Sequence, residues 1–216
     1  KYRKENYRKT FEWLKENCQN LITSDLDYEI PMQKMGFQTV LIPNPINTDK
    51  IVFQPLENTN KIIIFLGINR LSYLKKGINY FEKALEIIRE KYADKVEIIV
   101  TENLPYNEYI SIYNKAHILL DQVFAYDQGY NALEAMAKGK VVFTGAETEF
   151  LNQYQLQEDE VCINALPNET EIAAKLSLLI EHPEKIIAIS KNARNFIEKQ
   201  HDYKTIATKY LACWEA

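Results

Sequence analysis

GYNALEAMAKGKVVFTG, Gly129 to Gly145, reads as a helix running directly into a strand. Ala132, Leu133, Ala135, Met136 and Ala137 give the helix an inward-packing face. The run KVVFT at 140–144 shows no alternation of apolar and polar residues, the pattern of a strand covered on both faces. A strand of that kind belongs in a parallel sheet with helices on either side.

Outward from this stretch, KIIIFL at 61–66, VEIIV at 96–100 and HILLDQ at 117–122 are runs of the same kind. Between them lie helical faces, one of Ile78, Phe81, Leu85 and Ile88, another of Tyr109, Ile112, Tyr113 and Ala116. The strand–helix alternation predicts an α/β fold with a doubly wound parallel sheet, Rossmann-like, whose ligand crevice lies beyond the carboxyl ends of the strands. A weaker strand, VCI at 161–163, leads to Asn168 with Glu171 three residues on, a capping-box-like helix start. His182 and Pro183 open a further helix.

The beginning of the chain reads differently. A helix from about Tyr2 to Asn17, the short strand NLIT, a second helix and QTVLIP look like the tail of a preceding domain. Turn-rich PNPINTD and polar QPLENTN mark two breaks. The expected organisation is a tail at 1–45, a linker at 46–60, the Rossmann-like domain at 61–200 and a closing helix at 201–216.

At 216 residues the chain has room for one domain and a fragment of another. A net charge of -4 argues against a nucleic-acid partner, so any phosphate site must be local. The basic opening KYRKENYRK is a solvated helix face or a point of peripheral membrane contact. Three widely spaced cysteines, Cys18, Cys162 and Cys213, fit reduced thiols and a cytoplasmic setting. No run is long and apolar enough for a membrane span, and no signal pattern opens the chain.

Three segments are expected near one another because each follows a strand. In GINRLSYLKKG, Gly67 to Gly77, Gly67 is expected to let the backbone turn, while Arg70 and Lys76 are cations able to reach a diphosphate; the plainer reading is a solvated basic loop. In the second, the helix start at Gly129 suits phosphate and Glu134, one turn deeper, suits ribose hydroxyls; a surface glutamate is the commoner fate. The third holds Asp121 and Asp127, for which capping is the plainer role. Walker A, G-x-S-x-G, G-x-G-x-x-G and H-E-x-x-H patterns are missing, and His117, His182 and His201 are scattered, so no structural metal is expected.

These residues resemble the "glycosyl transferases group 1" family of retaining GT-B enzymes, from about Cys18 to the C-terminus. Gly67, Arg70 and Lys76-Gly77 are similar to the family's strand-end Gly, Arg and Lys-Gly, and Glu134 stands where the family has its ribose-binding glutamate. The segments TVLIPNPINTD and NARNFIEKQHDYKTIATKYL resemble the interdomain connection and the closing helices. The resemblance implies the C-terminal, donor-binding half of a GT-B fold, with the acceptor domain contributed by sequence preceding it.

It further implies transfer of a sugar, with retention and without a metal or other cofactor, from a nucleoside-diphosphate sugar to a saccharide or lipid-linked acceptor, in surface polysaccharide or glycolipid assembly. Arg70 and Lys76 would stabilise the leaving diphosphate as the catalytic pair. Gly67, Asp127, Gly129, Tyr130, Asn131 and Glu134 would bind the donor. Two departures stand out: Tyr126 replaces a sugar-binding glutamate, leaving Asp127 as the nearest acid, and Lys140 replaces a proline. Alternatives left open are a degenerate binding or scaffold module and a GT-B-type sugar-nucleotide epimerase.

Overall fold

The computed structural model describes residues 5–18, 21–55 and 60–215. The expected starts of the first helix and of NLIT, and most of QPLENTN, lie outside them. Helix α1 (Glu5–Asn17) buries no residue and is attached through Phe11, whose ring meets Phe37 at 6.1 Å. Strands β1 (Leu21–Thr23) and β2 (Thr39–Leu41) pair in parallel, with α2 (Leu26–Lys34) between them in the chain. Asp25 caps α2, its carboxylate accepting the Tyr28 N–H at 3.1 Å.

The main sheet begins with β3 (Ile62–Ile68), followed by a 3-10 turn (Arg70–Ser72), α3 (Tyr73–Lys76) and α4 (Ile78–Lys91). Next come β4 (Val96–Glu102), α5 (Tyr106–Lys115), β5 (Ile118–Leu120), α6 (Tyr130–Ala137) and β6 (Val141–Thr144). The chain continues through α7 (Thr148–Tyr154), β7 (Ile163–Asn164), α8 (Glu169–Glu181), α9 (Pro183–Gln200) and α10 (Tyr203–Glu215). The sheet order is β4-β3-β5-β6-β7, every pair parallel. HILLDQ contributes only Ile118–Leu120 to the sheet, so Asp121 and Gln122 lie just past the strand end.

Consecutive residues of a strand point to opposite faces, and here both faces are apolar. Ile64 and Leu66 pack with Phe81, Leu85, Ile88 and Leu176 on the side of α4 and α8. Phe65 and Leu119 pack with Met136, Phe150 and Ile197 on the side of α6 and α9. This double coverage is why the runs of β3, β5 and β6 do not alternate, whereas β4, expected to be buried on both faces, is an edge strand that leaves Val100 42% exposed. The N-cap half of the capping-box-like start is present at α8, where Asn168 Oδ1 accepts the N–H groups of Thr170 and Glu171 at 3.1 and 3.2 Å, while the Asn168 N–H donates to the Leu166 carbonyl at 2.7 Å and not to Glu171.

Residues 46–51, read as the start of a linker, are tied to the C-terminal helices. Ile46 donates its N–H to the His201 carbonyl at 2.7 Å and accepts that of Tyr203 at 3.1 Å. The Arg194 guanidinium donates to the carbonyls of Ile51 at 2.6 Å, Ala137 at 2.9 Å and Thr48 at 3.3 Å. Among the described residues no helix is long and apolar enough to cross a membrane.

Candidate functional site

In the sheet order the chain leaves β3 toward β4 on one side and returns to place β5 on the other. In open α/β sheets, ligands bind outside the carboxyl ends of strands at such a switch point. Lys76, the last residue of α3, lies there: Gly77 ends that helix in the left-handed region at φ 67°, and the Lys76 carbonyl accepts the Val123 N–H at 2.8 Å. Lys76 Nζ donates to Asp121 Oδ1 at 2.8 Å. The ion pair therefore spans the ends of β3 and β5.

Asp121 Oδ1 also accepts Asn131 Nδ2 at 2.8 Å, and Asn131 Oδ1 accepts the Tyr109 hydroxyl at 2.8 Å. The Tyr113 hydroxyl donates to the Asn131 carbonyl at 2.9 Å. Both ends of the Asn131 amide are thus engaged inside the protein, so its contribution to a ligand would come through its main chain. Burial, together with the nearby charges of Asp121 and Glu134, pushes the Tyr109 hydroxyl well above its ordinary pKa, so it acts as a neutral donor.

Gly67 sits inside β3 rather than in a turn, because the strand continues to Ile68 before the chain bends. Its small size answers a packing need: a Cβ added there would lie 2.4 Å from Tyr109 Cε2 and 3.2 Å from Phe65 Cζ. Gly129 is the opposite case. It precedes α6 with extended backbone at φ -83°, and an added Cβ would meet nothing within 4 Å. Packing does not require glycine there, and the space is open for close approach by a ligand.

The first intrahelical bond of α6 runs from the Leu133 N–H to the Gly129 carbonyl at 3.0 Å. The amides of Tyr130, Asn131 and Ala132 therefore have no acceptor within the helix, and no side chain of Gly129 can cap them. Such a terminus attracts an anion. Tyr130 is half exposed beside it, and Glu134 is partly buried one turn further along.

Arg70 is exposed at the end of β3 nearest β4. Its Nη2 donates to Glu102 Oε2 at 2.6 Å, and the guanidinium lies 5.1 Å from the Tyr73 ring centroid. That bond raises the Arg70 pKa and lowers that of Glu102. Exposed pairs of this kind are weak, so an incoming phosphate can take the guanidinium from Glu102.

Asp127 is joined to the N-terminal unit. Its Oδ2 accepts the Leu26 N–H at 2.9 Å, while Oδ1 is buried without a hydrogen-bond partner. Burial, then the charges of Asp25 and Asp27, push its carboxyl up to about 7. Asp25, Asp27 and Asp127 bring carboxylate oxygens within 4.8 Å of one another, the spacing of a possible cation group among the described residues. Sequence reasoning, which expected no metal, did not foresee this cluster, since Asp127 lies about a hundred residues from Asp25 and Asp27.

The histidines serve structure. His117 Nδ1 accepts the Ile63 N–H at 2.9 Å, His182 stands between α8 and α9, and buried His201 places Nδ1 2.9 Å from the Asn44 carbonyl. The sequence offers Asp121 as an acid after a strand but not as the partner of Lys76, and it offers Tyr109 only as part of a helical face. A signal was present in HILLDQ, where a carboxylate ending a fully buried strand must find a donor.

A doubly wound parallel sheet with a cation and an open helix start at its switch point is the architecture of the C-terminal half of GT-B glycosyltransferases. The chain belongs to the glycosyl transferase-like family, whose model matches residues 71–212. No curated protein sequence matches it. Among solved structures it is similar to sucrose-phosphate synthase from Thermosynechococcus elongatus (TM-score 0.69, 18% identity), covering 99% of this chain and 62% of that one. It also resembles a variant of S. aureus TarM in complex with UDP and alpha-GlcNAc-glycerol (TM-score 0.70, 14% identity, 98% and 47% covered). A third likeness is Anabaena HepE in complex with UDP and glucose (TM-score 0.72, 14% identity, 97% and 66% covered). The chain thus spans 62%, 47% and 66% of these three proteins.

Proposed function

We propose that this chain binds a nucleoside-diphosphate sugar and serves as the donor side of a sugar transferase. The observation that carries this reading is the meeting of the Lys76 ammonium and the open start of α6 at the switch point, joined through Asp121 and Asn131. The diphosphate lies against Lys76 and the amides of Tyr130 to Ala132, with Arg70 released from Glu102 to its outer oxygens. Glu134 accepts from the ribose hydroxyls.

As the bond from sugar to diphosphate breaks, negative charge grows on the leaving group, and the two cations and the helix start stabilise it. These groups supply the required charge without a metal. The acceptor is held by a separate domain, and the sugar is transferred with retention to its hydroxyl. The UDP bound in the TarM and HepE structures makes uracil the first base to try.

A second reading, a domain that keeps the nucleotide crevice but has lost sugar transfer, draws on Asp127. The acid nearest the sugar position is committed to the Leu26 N–H, and Tyr126 offers no carboxylate in its place.

The test is a thermal-shift series with UDP, GDP, ADP and CMP on the wild type and on Arg70→Ala. A saturating diphosphate should raise Tm through its binding free energy, and Arg70→Ala should reduce the shift. Absence of a shift with every nucleotide refutes the reading, and a full shift surviving in Arg70→Ala removes Arg70 from the site. Binding of UDP with no added affinity for any UDP-sugar favours the second reading.

A further inference from the structure

Asp121 presents a contradiction in a crevice read as a diphosphate site. It is 4% exposed and carries a carboxylate 2.8 Å from the lysine that should meet the phosphate. An acid in that place opposes the anion and partly neutralises Lys76. Holding Asn131 alone would require only a neutral acceptor. An ionised group adds something a neutral one cannot, a strong and directional hold on the ammonium.

The carboxylate is a fixed point. Its residue follows β5, which lies between β3 and β6, and its N–H donates to the Phe143 carbonyl at 2.9 Å. Two donors from different elements converge on its Oδ1, Lys76 Nζ from α3 and Asn131 Nδ2 from the first turn of α6. Lysine is a point charge on a flexible four-carbon stem, and here its side chain is 31% exposed. Without an anchor the ammonium would sample many positions. Asn131 is held in turn by the hydroxyls of Tyr109 and Tyr113, and Tyr109 lies flush against Gly67. One buried oxygen therefore fixes the lysine relative to the helix start.

We propose that Asp121 is a positioning residue, whose carboxylate sets the spacing between the Lys76 ammonium and the N-terminus of α6 so that both close on one diphosphate. This rests on the crevice binding a nucleoside diphosphate. Asp121 touches neither the donor nor the acceptor; it acts through Lys76 and Asn131. The energetic logic is preorganisation: the lysine's ordering cost is met during folding and not at the binding step.

A merely structural ion pair makes the opposite forecast. Removing the acid charge would then leave Lys76 more positive toward the ligand, and diphosphate affinity would rise or stay level. The experiment uses the whole chain with Asp121→Asn, which keeps shape and an acceptor for Asn131, and Asp121→Glu, which keeps charge but displaces it. Calorimetry compares UDP, GDP and ADP with their nucleosides, alongside circular dichroism to confirm folding.

The expected result is a loss of about tenfold in diphosphate affinity in both variants, the scale of one well-placed charged hydrogen bond, with nucleoside affinity unchanged. Lys76→Ala should cost far less in the Asp121→Asn background than in the wild type. Unchanged or tighter diphosphate binding by Asp121→Asn overturns the positioning role, as does an equal loss for nucleoside and diphosphate. If the wild type binds none of the three diphosphates, the reading of the crevice itself falls, and the positioning role with it.

Discussion

Replacing Asp127 by asparagine removes a charge that the fold holds in an unfavourable place. The carboxyl is 6% exposed and carries one oxygen without a partner, and Asp25 and Asp27 stand beside it. Its folded-state value of about 7 lies above the ordinary 3.8. Between those values the native chain keeps a proton that the unfolded chain has released. The stability this group contributes is therefore complete below pH 3.8 and is lost as pH rises through 7. A gap of about three units corresponds to about 4 kcal/mol, which relaxation around the site reduces to on the order of 2 kcal/mol.

Asparagine has no such proton to lose, keeps an oxygen for the Leu26 N–H, and can turn its amide toward the acids beside it. Asp127→Asn should be more stable than the wild type at pH 8 by on the order of 2 kcal/mol, and the difference should vanish near pH 4. Urea unfolding of both proteins at half-unit steps from pH 4 to 8 measures this directly. A difference that is flat with pH, or a variant less stable at pH 8, would refute the account. Either would mean that the native carboxylate is already satisfied, by a cation or by solvent.

Two further outcomes follow from the same kind of reasoning. His201, lowered to about 4 from 6.5 by burial, stays neutral in the fold, so the stability it contributes is present above pH 6.5 and falls by on the order of 3 kcal/mol as pH drops through 4; the difference in urea stability between wild type and His201→Gln should follow that window, opposite in direction to Asp127. A Cβ at Gly145 would lie 2.2 Å from the Ala125 carbonyl oxygen, whereas one at Gly129 meets nothing within 4 Å. Gly145→Ala should therefore lower Tm by an amount reflecting about 1–3 kcal/mol, while Gly129→Ala should melt near the wild type yet bind nucleoside diphosphate more weakly, as thermal shift and calorimetry would show.

The strands KIIIFL, VEIIV and KVVFT, the helical faces around Phe81 and Leu85, and the cap at Asn168 were all legible in the sequence. Each depends on periodicity or on a partner within four residues, and local order of that kind survives in a one-dimensional string. The open start of α6 was legible for the same reason, since a glycine before an apolar helix leaves its first amides uncapped. Arg70 and Lys76 could be named as cations after a strand, but whether anything answered their charge could not.

That answer depended on which strands became neighbours. Lys76 meets Asp121 across 45 positions because β5 returns to the side of β3 away from β4. Asp127 reaches Leu26 across 101 positions because α2 packs against the loop before α6. Gly67 read as a turn residue, yet its size is set by the ring of Tyr109, which arrives from α5, on the far side of β4 in the chain. By itself the sequence determined the elements and the faces they bury, because those follow from spacing along the chain. Only the tertiary structure decided the partner of each buried charge, because desolvation forces a charge to find a donor but leaves open which of the distant ones will be within reach.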